Sequence, residues 1–490
     1  MLNKKFFKKI PKMKNIHHIY FIGIGGSGMG GIATILVKQG YKISGSDLFS
    51  NFITKKLNLL NIKIYFKHDA KNITSDIDLI IISTAIKHNN PELIAAKKLN
   101  ITILNRAQIL AELMRFFYGI TITGTHGKTT TTALIYKIFK LAKLSPTFIN
   151  GGILKFSEEY AHLGSGQYFI TEADESNKSF LYLNPIINII TNIEKEHLNF
   201  YNNNIEILKK NFLKFLKKIP FYGCIIICID NFHNYDLIKK NKNILKQNII
   251  TYGFNKNADI QLYNYQQNNY RCRFSLLEKK KNLSIKINLN IPGYHNALNA
   301  TAAFAISSYI GLDYSIIIKS LKNFEGIKRR FDILGILLPH KNIKCKKNII
   351  VIDDYGHHPT EINMTIKTAR QIWPNRKLIM IFQPHRYSRI SNLLTEFIKI
   401  LSKVDTLFIL EVYAAGEIPI KNANSEYLTK QIKKLGIINP ILIKLKNYYD
   451  IMNNIYVQLK GNTVLIFQGA GDINNISSLL MKNKSQNLKN

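Results

Sequence analysis

The stretch Ile120-Thr121-Ile122-Thr123-Gly124-Thr125-His126-Gly127-Lys128-Thr129-Thr130-Thr131-Thr132-Ala133 decides the reading of this chain. An apolar run of β type enters a loop bounded by Gly124 and Gly127. Lys128 and a row of threonines follow, then a helical pattern through Leu134, Ile135, Ile138 and Phe139. Glycines let backbone N–H groups turn toward an anion, and a helix N-terminus adds its positive dipole end. Lys128 supplies a point charge, and the Thr129 hydroxyl can reach a Mg²⁺ ion. The pattern is that of a phosphate cradle. Its nucleotide contacts are expected from Gly124, Thr125, His126, Gly127, Lys128, Thr129 and Thr130. It departs from the common form G-x-x-x-x-G-K-[ST], because Ile122 stands where the first glycine belongs. A plain glycine turn between strand and helix is the bland alternative, and it leaves the Lys and Thr after the second glycine unexplained.

Composition bounds the rest. At 490 residues and 46% hydrophobic, the chain has length for about three domains, each with its own core. No apolar run approaches the ~18 residues of a spanning helix. The N-terminal Met1-Leu-Asn-Lys-Lys-Phe-Phe carries charge without an apolar core segment, so no signal peptide is expected. Cys224, Cys228, Cys272 and Cys345 are scattered and have no His/Cys cluster, which speaks against a zinc site or disulfide framework and for a reducing cytoplasm. The formal net charge is +37. Nucleic-acid binding would need basic residues interleaved with aromatics on one face. Here Lys, Asn and Ile are raised together throughout, as an A+T-rich coding bias would do. So basic a chain still favours polyanionic small substrates. Only ten of its 68 basic residues are Arg, and four of these sit in two motifs, Arg329-Arg330 and Arg386/Arg389. An arginine kept amid so much lysine marks a place where the planar guanidinium fork matters.

The pattern of strands and helices reads as α/β in three units, residues 1–118, 119–326 and 327–490. The first opens with strand Ile19–Ile22, the loop Gly23-Ile-Gly25-Gly26-Ser27-Gly28-Met-Gly-Gly31, a helix, and strand Lys42–Ser46 followed by Asp47. This is a βαβ start whose glycines receive a pyrophosphate at a helix N-terminus. Gly23, Gly25, Gly26, Ser27, Gly28 and Asp47 are its binding candidates. The pattern does not say which nucleotide, and an NAD-dependent dehydrogenase is one reading of it. The second unit holds strands at Tyr168–Glu172, Ile186–Asn192 and Cys224–Asp230, an alternating region over Asp259–Asn290 expected to be antiparallel, and a helix from near His295. The third alternates strands at Asn348–Asp353, Leu378–Phe382, Thr406–Leu410 and Thr463–Phe467 with helices.

Carboxylates at the end of a strand that faces a phosphate loop are placed to hold Mg²⁺, which points to Glu172, Asp174 and Glu175, and an acidic loop capping the next helix is the bland alternative for Asp174 and Glu175 more than for Glu172. His197, after a second strand, is a candidate metal ligand or plain surface. His295, Asn296 and Asn299 precede or open a helix. Asn side chains suit an adenine edge, while a helix cap is the bland reading of Asn296.

With these motifs in hand, the chain resembles the Mur ligases, the ATP-dependent amide-forming enzymes of peptidoglycan precursor synthesis. The resemblance runs from about His18 to Ile473. It rests on the stretches quoted above together with Arg329-Arg-Phe331, Asp353-Asp-Tyr-Gly-His-His-Pro359, Gln383-Pro-His-Arg-Tyr-Ser-Arg389, Val412-Tyr-Ala-Ala-Gly-Glu417 and Gly469-Ala-Gly-Asp-Ile473. The Asp353, Gln383 and Val412 motifs resemble those of the alanine-adding branch. The resemblance implies a Rossmann-like N-terminal domain for the UDP-sugar, a central ATPase-type mixed sheet, and a Rossmann-like C-terminal domain that closes over the site. It implies ATP and Mg²⁺, with UDP-N-acetylmuramate and L-alanine as substrates, joined through an acyl phosphate. Nucleic acid and membrane insertion play no part in it, and oligomeric state is left open.

Carried over residue by residue, Lys128 is catalytic, Thr129 and Glu172 hold one Mg²⁺, and Glu172 with His197 the second. His295, Asn296 and Asn299 face the adenine nucleotide and Asp354 its ribose. Arg330, His357, His385, Arg386 and Arg389 come toward phosphate and the muramoyl group. The chain departs from the family pattern at Glu196, Asn199 and Asn177, each where Asp is usual. Several family members carry a carbamylated lysine, and neither Lys209 nor Lys210 is read as one. A ligase adding a preformed peptide to the same sugar nucleotide is the nearest alternative.

Overall fold

The computed structural model describes residues 12–196, 198–337, 348–444, 451, 455–456, 459 and 462–486, and no side chain is described at 199 or 483–486. Three sheets organise these residues, as the α/β reading expected.

The first sheet comprises β1 (His18–Ile22), β2 (Lys42–Ser46), β3 (Lys63–Tyr65), β4 (Leu79–Ile82) and β5 (Thr102–Asn105), all parallel in the order β3-β2-β1-β4-β5. A parallel sheet is covered on both faces, so its strands are apolar throughout, and all five residues of β1 are buried. The strand order reverses between β1 and β4. Ligand crevices of open α/β sheets form at such a point, outside the strands' C-terminal ends. The glycine loop leaves β1 there, and Gly23 with φ +82 has no room for a side chain, because a Cβ would sit 3.0 Å from that of Ser83.

The second sheet is built from β6 (Tyr118–Thr123), β7 (Thr147–Ile149), β8 (Ala161–His162), β9 (Tyr168–Glu172), β10 (Ile187–Ile190), β11 (Cys224–Cys228), β12 (Asn248–Gly253), β13 (Ile260–Asn268), β14 (Arg271–Glu278) and β15 (Leu283–Leu289). Its order is β15-β14-β13-β12-β11-β10-β6-β9-β7-β8. β6 therefore lies between β10 and β9, parallel to both. Buried Asn188 of β10 bridges to Thr121 and Thr123 of β6, donating to Thr121 Oγ1 at 2.9 Å and accepting from Thr123 Oγ1 at 3.2 Å. A satisfied polar pair in an apolar sheet fixes the strand register beneath the loop that follows. The alternating region expected over 259–290 is the β13–β15 meander. β13 and β14 are separated by two residues, a connection that only antiparallel neighbours allow.

The third sheet comprises β16 (Asp332–Leu337), β17 (Ile349–Asp354), β18 (Lys377–Phe382), β19 (Thr406–Leu410), β20 (Ile441–Ile443) and β21 (Thr463–Gln468), in the order β16-β17-β21-β18-β19-β20. β16 is antiparallel to β17 and the rest are parallel. The last strand, β21, inserts between β17 and β18, so the C-terminal ends of β17, β21, β18 and β19 stand side by side.

The described residues fall into two compact units. One draws on the described residues within Met1–Gln266, Arg273–Ile291 and His295–Glu325, and the other on those within Gln267–Cys272, Pro292–Tyr294 and Gly326–Asn490. The first two sheets belong to the first unit. Among the described residues no helix is long and apolar enough to cross a membrane.

Candidate active site

In the first unit, three loops meet at the C-terminal edge of β6, β9 and β10. The phosphate-type loop leaves β6 and ends at helix Lys128–Leu141. Its two glycines hold backbone that side chains rarely adopt, Gly124 at φ +122 and Gly127 at φ +85. A Cβ on Gly124 would lie 2.3 Å from Thr191 Oγ1, and one on Gly127 2.5 Å from Asn299 Oδ1. The loop after β10 grips it. Asn192 O accepts from Thr125 N at 3.0 Å, Asn192 Oδ1 from His126 N at 2.8 Å, and Glu194 N donates to Thr125 Oγ1 at 2.9 Å. Asn192 lies past the end of β10, although the sequence pattern included it in the strand. His126 Nε2 stands 3.5 Å from Glu194 and 3.8 Å from Glu196.

Lys128 folds over this loop. Its Nζ donates to Gly124 O at 2.5 Å and to both oxygens of Glu175 at 3.0 Å. Glu175 is 2% exposed. Burial pushes its carboxyl up to about 7, against the pull of Lys128 and with Asp174 adding to the rise. Burial pushes Lys128 down, yet Glu175 and Asp174 outweigh it and hold the ammonium above its ordinary value. Glu175, readable from sequence as a loop cap, is thus the counter-ion of the loop lysine. Glu172 ends β9 in register with Ile122, and its Oε1 accepts from Gly151 N at 2.5 Å. Thr129 and Thr130 are buried in the first turn of helix Lys128–Leu141.

Helix Tyr294–Tyr309 brings Asn299 to the same loop, where Thr131 Oγ1 donates to its Oδ1 at 3.3 Å and its Nδ2 reaches Asn296 Oδ1 at 3.3 Å. The helix begins at Tyr294, so Asn296 sits inside the first turn and is not its cap, and His295 is half-buried beside it. His197 lies outside the described residues. Asn177 Oδ1 accepts from Ser179 N at 3.0 Å. Lys209 Nζ pairs with Glu206 at 2.8 Å and with Asp236, which keeps it a cation; a carbamate there would face two carboxylates.

The glycine loop of the first sheet is held from within. Asp47 Oδ2 accepts from Gly25 N at 2.7 Å, its Oδ1 from Leu48 N at 2.8 Å, and Asn51 Nδ2 donates to Gly25 O at 3.0 Å. A dinucleotide-binding acid would offer its carboxylate to a ribose. Asp47 spends both oxygens on backbone N–H groups. Gly26 is the N-cap of helix Ser27–Lys38 and Ser27 its first residue.

In the second unit, the Asp353, Gln383, Val412 and Gly469 motifs lie at or just past the C-terminal ends of β17, β18, β19 and β21, and Arg329-Arg-Phe331 comes to the same edge just before the antiparallel β16. Asp354 closes β17. It is buried, with Oδ2 accepting from Phe331 N at 2.7 Å and Oδ1 from Gly356 N at 2.8 Å and Gln468 Nε2 at 2.7 Å. Arg329 Nη2 donates to Gly469 O at 2.6 Å and Arg330 Nη1 to Glu361 Oε1 at 3.4 Å. Arg329 and Phe331, at φ +62 and +45, hold the segment between them in a strained turn.

His357 N donates to Glu361 Oε2 at 3.0 Å, and its ring lies 5.4 Å from that of His385, which stacks on Tyr413 at 5.5 Å. Arg389 Nη1 donates to His385 Nδ1 at 3.1 Å, so that nitrogen accepts and the imidazole is neutral. Burial, then His357 and the two arginines, push His385 down to about 3. Arg386 is exposed, on backbone at φ +71, with its N–H held by Tyr413 O at 2.9 Å. Glu417 accepts from Ser388 N and Oγ at 3.0 and 2.6 Å, tying the Val412–Glu417 motif to the Gln383–Arg389 motif.

Comparison with known proteins agrees with this arrangement. Three family models match in sequence order: the Mur ligase family catalytic domain over residues 18–118, the Mur ligase middle domain over 122–307, and the Mur ligase glutamate ligase domain over 341–471. A UDP-N-acetylmuramate–L-alanine ligase of Buchnera aphidicola is 51% identical over 98% of this chain and 97% of its own length. The enzyme of the same name from Wigglesworthia glossinidia brevipalpis is 48% identical over 97% and 98%. The solved UDP-N-acetylmuramate–alanine ligase of Thermotoga maritima superposes with TM-score 0.80 at 28% identity, covering 96% of this chain and 99% of that one. A murein peptide ligase of Psychrobacter arcticus shares the fold at TM-score 0.71 and 22% identity, over 96% and 98%. With these matches spanning all three sheets, the chain belongs to the Mur ligase family.

Proposed function

We propose that this chain is an ATP-dependent ligase that joins L-alanine to the lactyl carboxylate of UDP-N-acetylmuramate in peptidoglycan precursor synthesis, a cytoplasmic reaction. The observation that carries it is the meeting of Lys128, Glu172 and Asn192 loops at the edge of β6, in a chain about half identical to enzymes of that name. A peptide-adding ligase shares the fold, but the identity to alanine ligases favours the single amino acid.

A carboxylate and an amine do not condense in water unaided. In the proposed reaction a lactyl oxygen attacks the γ-phosphorus of ATP and ADP leaves. The alanine amine, having lost a proton, then attacks the acyl carbon; the acyl C–O bond breaks, inorganic phosphate leaves with the former carboxylate oxygen, and the nitrogen sheds a second proton as the amide forms. Lys128 turns from Gly124 O and Glu175 to the phosphates and holds positive charge against that developing on the transferred group. The left-handed Gly124 and Gly127 aim loop N–H groups at the same anion.

The donor set fits Mg²⁺. Thr129 offers a hydroxyl and Glu172 a carboxylate, hard oxygen donors of the kind that ion takes, and His197 is the proposed ligand of a second. Bound there, Mg²⁺ would neutralise phosphate charge. His295, Asn296 and Asn299 bind the adenine nucleotide, with Asp354 toward its ribose. The loop Gly23–Gly28 with Asp47 receives the UDP group. Arg330, His357, His385, Arg386 and Arg389 orient the muramoyl and phosphoryl groups; neutral His385 accepts from Arg389 and fixes its direction.

ADP release from ATP with UDP-N-acetylmuramate, measured against a panel of amino acids, tests the proposal. Release with L-alanine far above the others is expected. Equal release with all, or only with a preformed peptide, would overturn it.

A further inference from the structure

Arg106 lies in neither arginine motif. It opens helix Arg106–Met114 directly after β5, at the crevice edge of the first sheet. Its guanidinium rests on the first turn of helix Ser27–Lys38: a Cβ on Gly28 would fall 2.4 Å from Nη1 and 3.1 Å from Cδ. That turn has no acidic residue and no side-chain cap. A cation set against the positive end of a helix is unfavourable unless an anion joins it. The anion in place is Asp174, whose Oδ2 is 3.5 Å from Nη2, with side chains 28% and 37% exposed for Arg106 and Asp174. Asp174 sits between Glu172 and Glu175 in the loop after β9. Burial pushes its carboxyl up, but Lys128 and then Arg106 draw it below its ordinary value. The charges thus alternate from one glycine loop to the other: Arg106, Asp174, Lys128, Glu175.

We propose that Arg106 is a binding residue for the pyrophosphate of the UDP-sugar, and that Asp174 competes with that pyrophosphate for it. The proposal rests on the UDP-sugar reading of the Gly23–Gly28 loop. A long, part-exposed ion pair is weak. A pyrophosphate beside the same helix turn offers the guanidinium two oxygens in its own plane, and places negative charge where the helix dipole asks for it. Exchange of Asp174 for pyrophosphate removes the mismatch at Gly28. It also leaves Asp174 to Lys128, so filling the sugar-nucleotide site changes the field at the ATP loop.

The test is calorimetric titration of the full chain with UDP-N-acetylmuramate and, separately, with a non-hydrolysable ATP analogue. Arg106→Gln is expected to weaken UDP-sugar binding at least about tenfold, with Arg106→Lys between it and wild type. Asp174→Asn is expected to tighten the same binding about threefold, because the competitor is gone. A purely structural tie predicts the same sign for both, weaker binding with a lower melting temperature. Asp174→Asn weakening or leaving unchanged the UDP-sugar affinity would overturn the proposal, as would unchanged affinity in Arg106→Gln. A wild-type chain that binds the ATP analogue but no UDP-sugar would overturn the reading beneath it.

Discussion

Replacing Lys128 tests both the chemistry and the electrostatics of the loop. Its ammonium is the nearest cation to Glu175, at 3.0 Å from both carboxylate oxygens, and Glu175 is 2% exposed. Lys128→Met keeps the length of the side chain and strands a buried carboxylate. Breaking a buried pair from one side costs about 3–5 kcal/mol, most of it the unpaired charge. At about 2–4 °C per kcal/mol in a domain of roughly 200 residues, the melting temperature should fall by about 6–20 °C at pH 8. The sign with pH follows from Glu175. Its folded value is already raised to about 7, and loss of Lys128 raises it further. A group raised on folding contributes stability that is present below its unfolded value, near 4.5, and lost as pH rises through the folded one. The deficit of the variant should therefore shrink between pH 8 and pH 5.5. Lys128→Met with Glu175→Gln should recover most of the stability at pH 8 and none of the ADP formation. Scanning calorimetry at the two pH values and a coupled ADP assay decide it. A single variant as stable as wild type at pH 8 would refute the buried pair, and turnover in the double variant would remove Lys128 from the reaction.

Gly28→Val should weaken UDP-sugar binding and spare ATP affinity, since its side chain displaces Arg106; titration with each ligand checks this. Arg386→Lys keeps the charge and loses the planar fork, so turnover should drop at least about tenfold, ~1.4 kcal/mol, with little change in melting temperature because the side chain is exposed. Asp354→Asn sets an amide N–H₂ in place of one accepting oxygen, against Phe331 N on one side or Gly356 N and Gln468 Nε2 on the other, and should cost about 1–3 kcal/mol in thermal stability. A raised KM for ATP is expected in the same variant from the proposed ribose contact, and an unchanged KM would remove Asp354 from the nucleotide site.

The strands that carry the motifs were legible because parallel strands buried on both faces are unbroken apolar runs. β1, β2, β9, β17, β18, β19 and β21 stand within a residue of their expected bounds, and β6 begins two residues before the apolar run that marked it. Short pieces at or next to a sheet edge, such as β7, β8, β16 and β20, were not, since two to six residues carry too little periodic signal. The loop of Lys128 was legible from glycine spacing and charge alone. Its partner was not: nothing local in Thr171–Ser176 tells which of three carboxylates turns inward, and the β6–β9 register decides it. Asp47 was legible as part of the glycine-loop site because acids after the second strand often are, whereas its hold on Gly25 N and Leu48 N, which shapes the loop proposed to receive the UDP group, carries no local sequence signal. Arg106 escaped notice because the residue it meets, Gly28, is far away in sequence and has no side chain to pair with.

The central claim is that the muramoyl carboxylate is activated by phosphorylation before the amine arrives. UDP-N-acetylmuramate labelled with ¹⁸O in both lactyl carboxylate oxygens, turned over with ATP and L-alanine, reports on it directly by mass spectrometry of the inorganic phosphate. One labelled oxygen in each phosphate released is the result expected, because the oxygen that attacked the γ-phosphorus leaves with it. Product formed with unlabelled phosphate would contradict the acyl phosphate and the role assigned to the Lys128 loop.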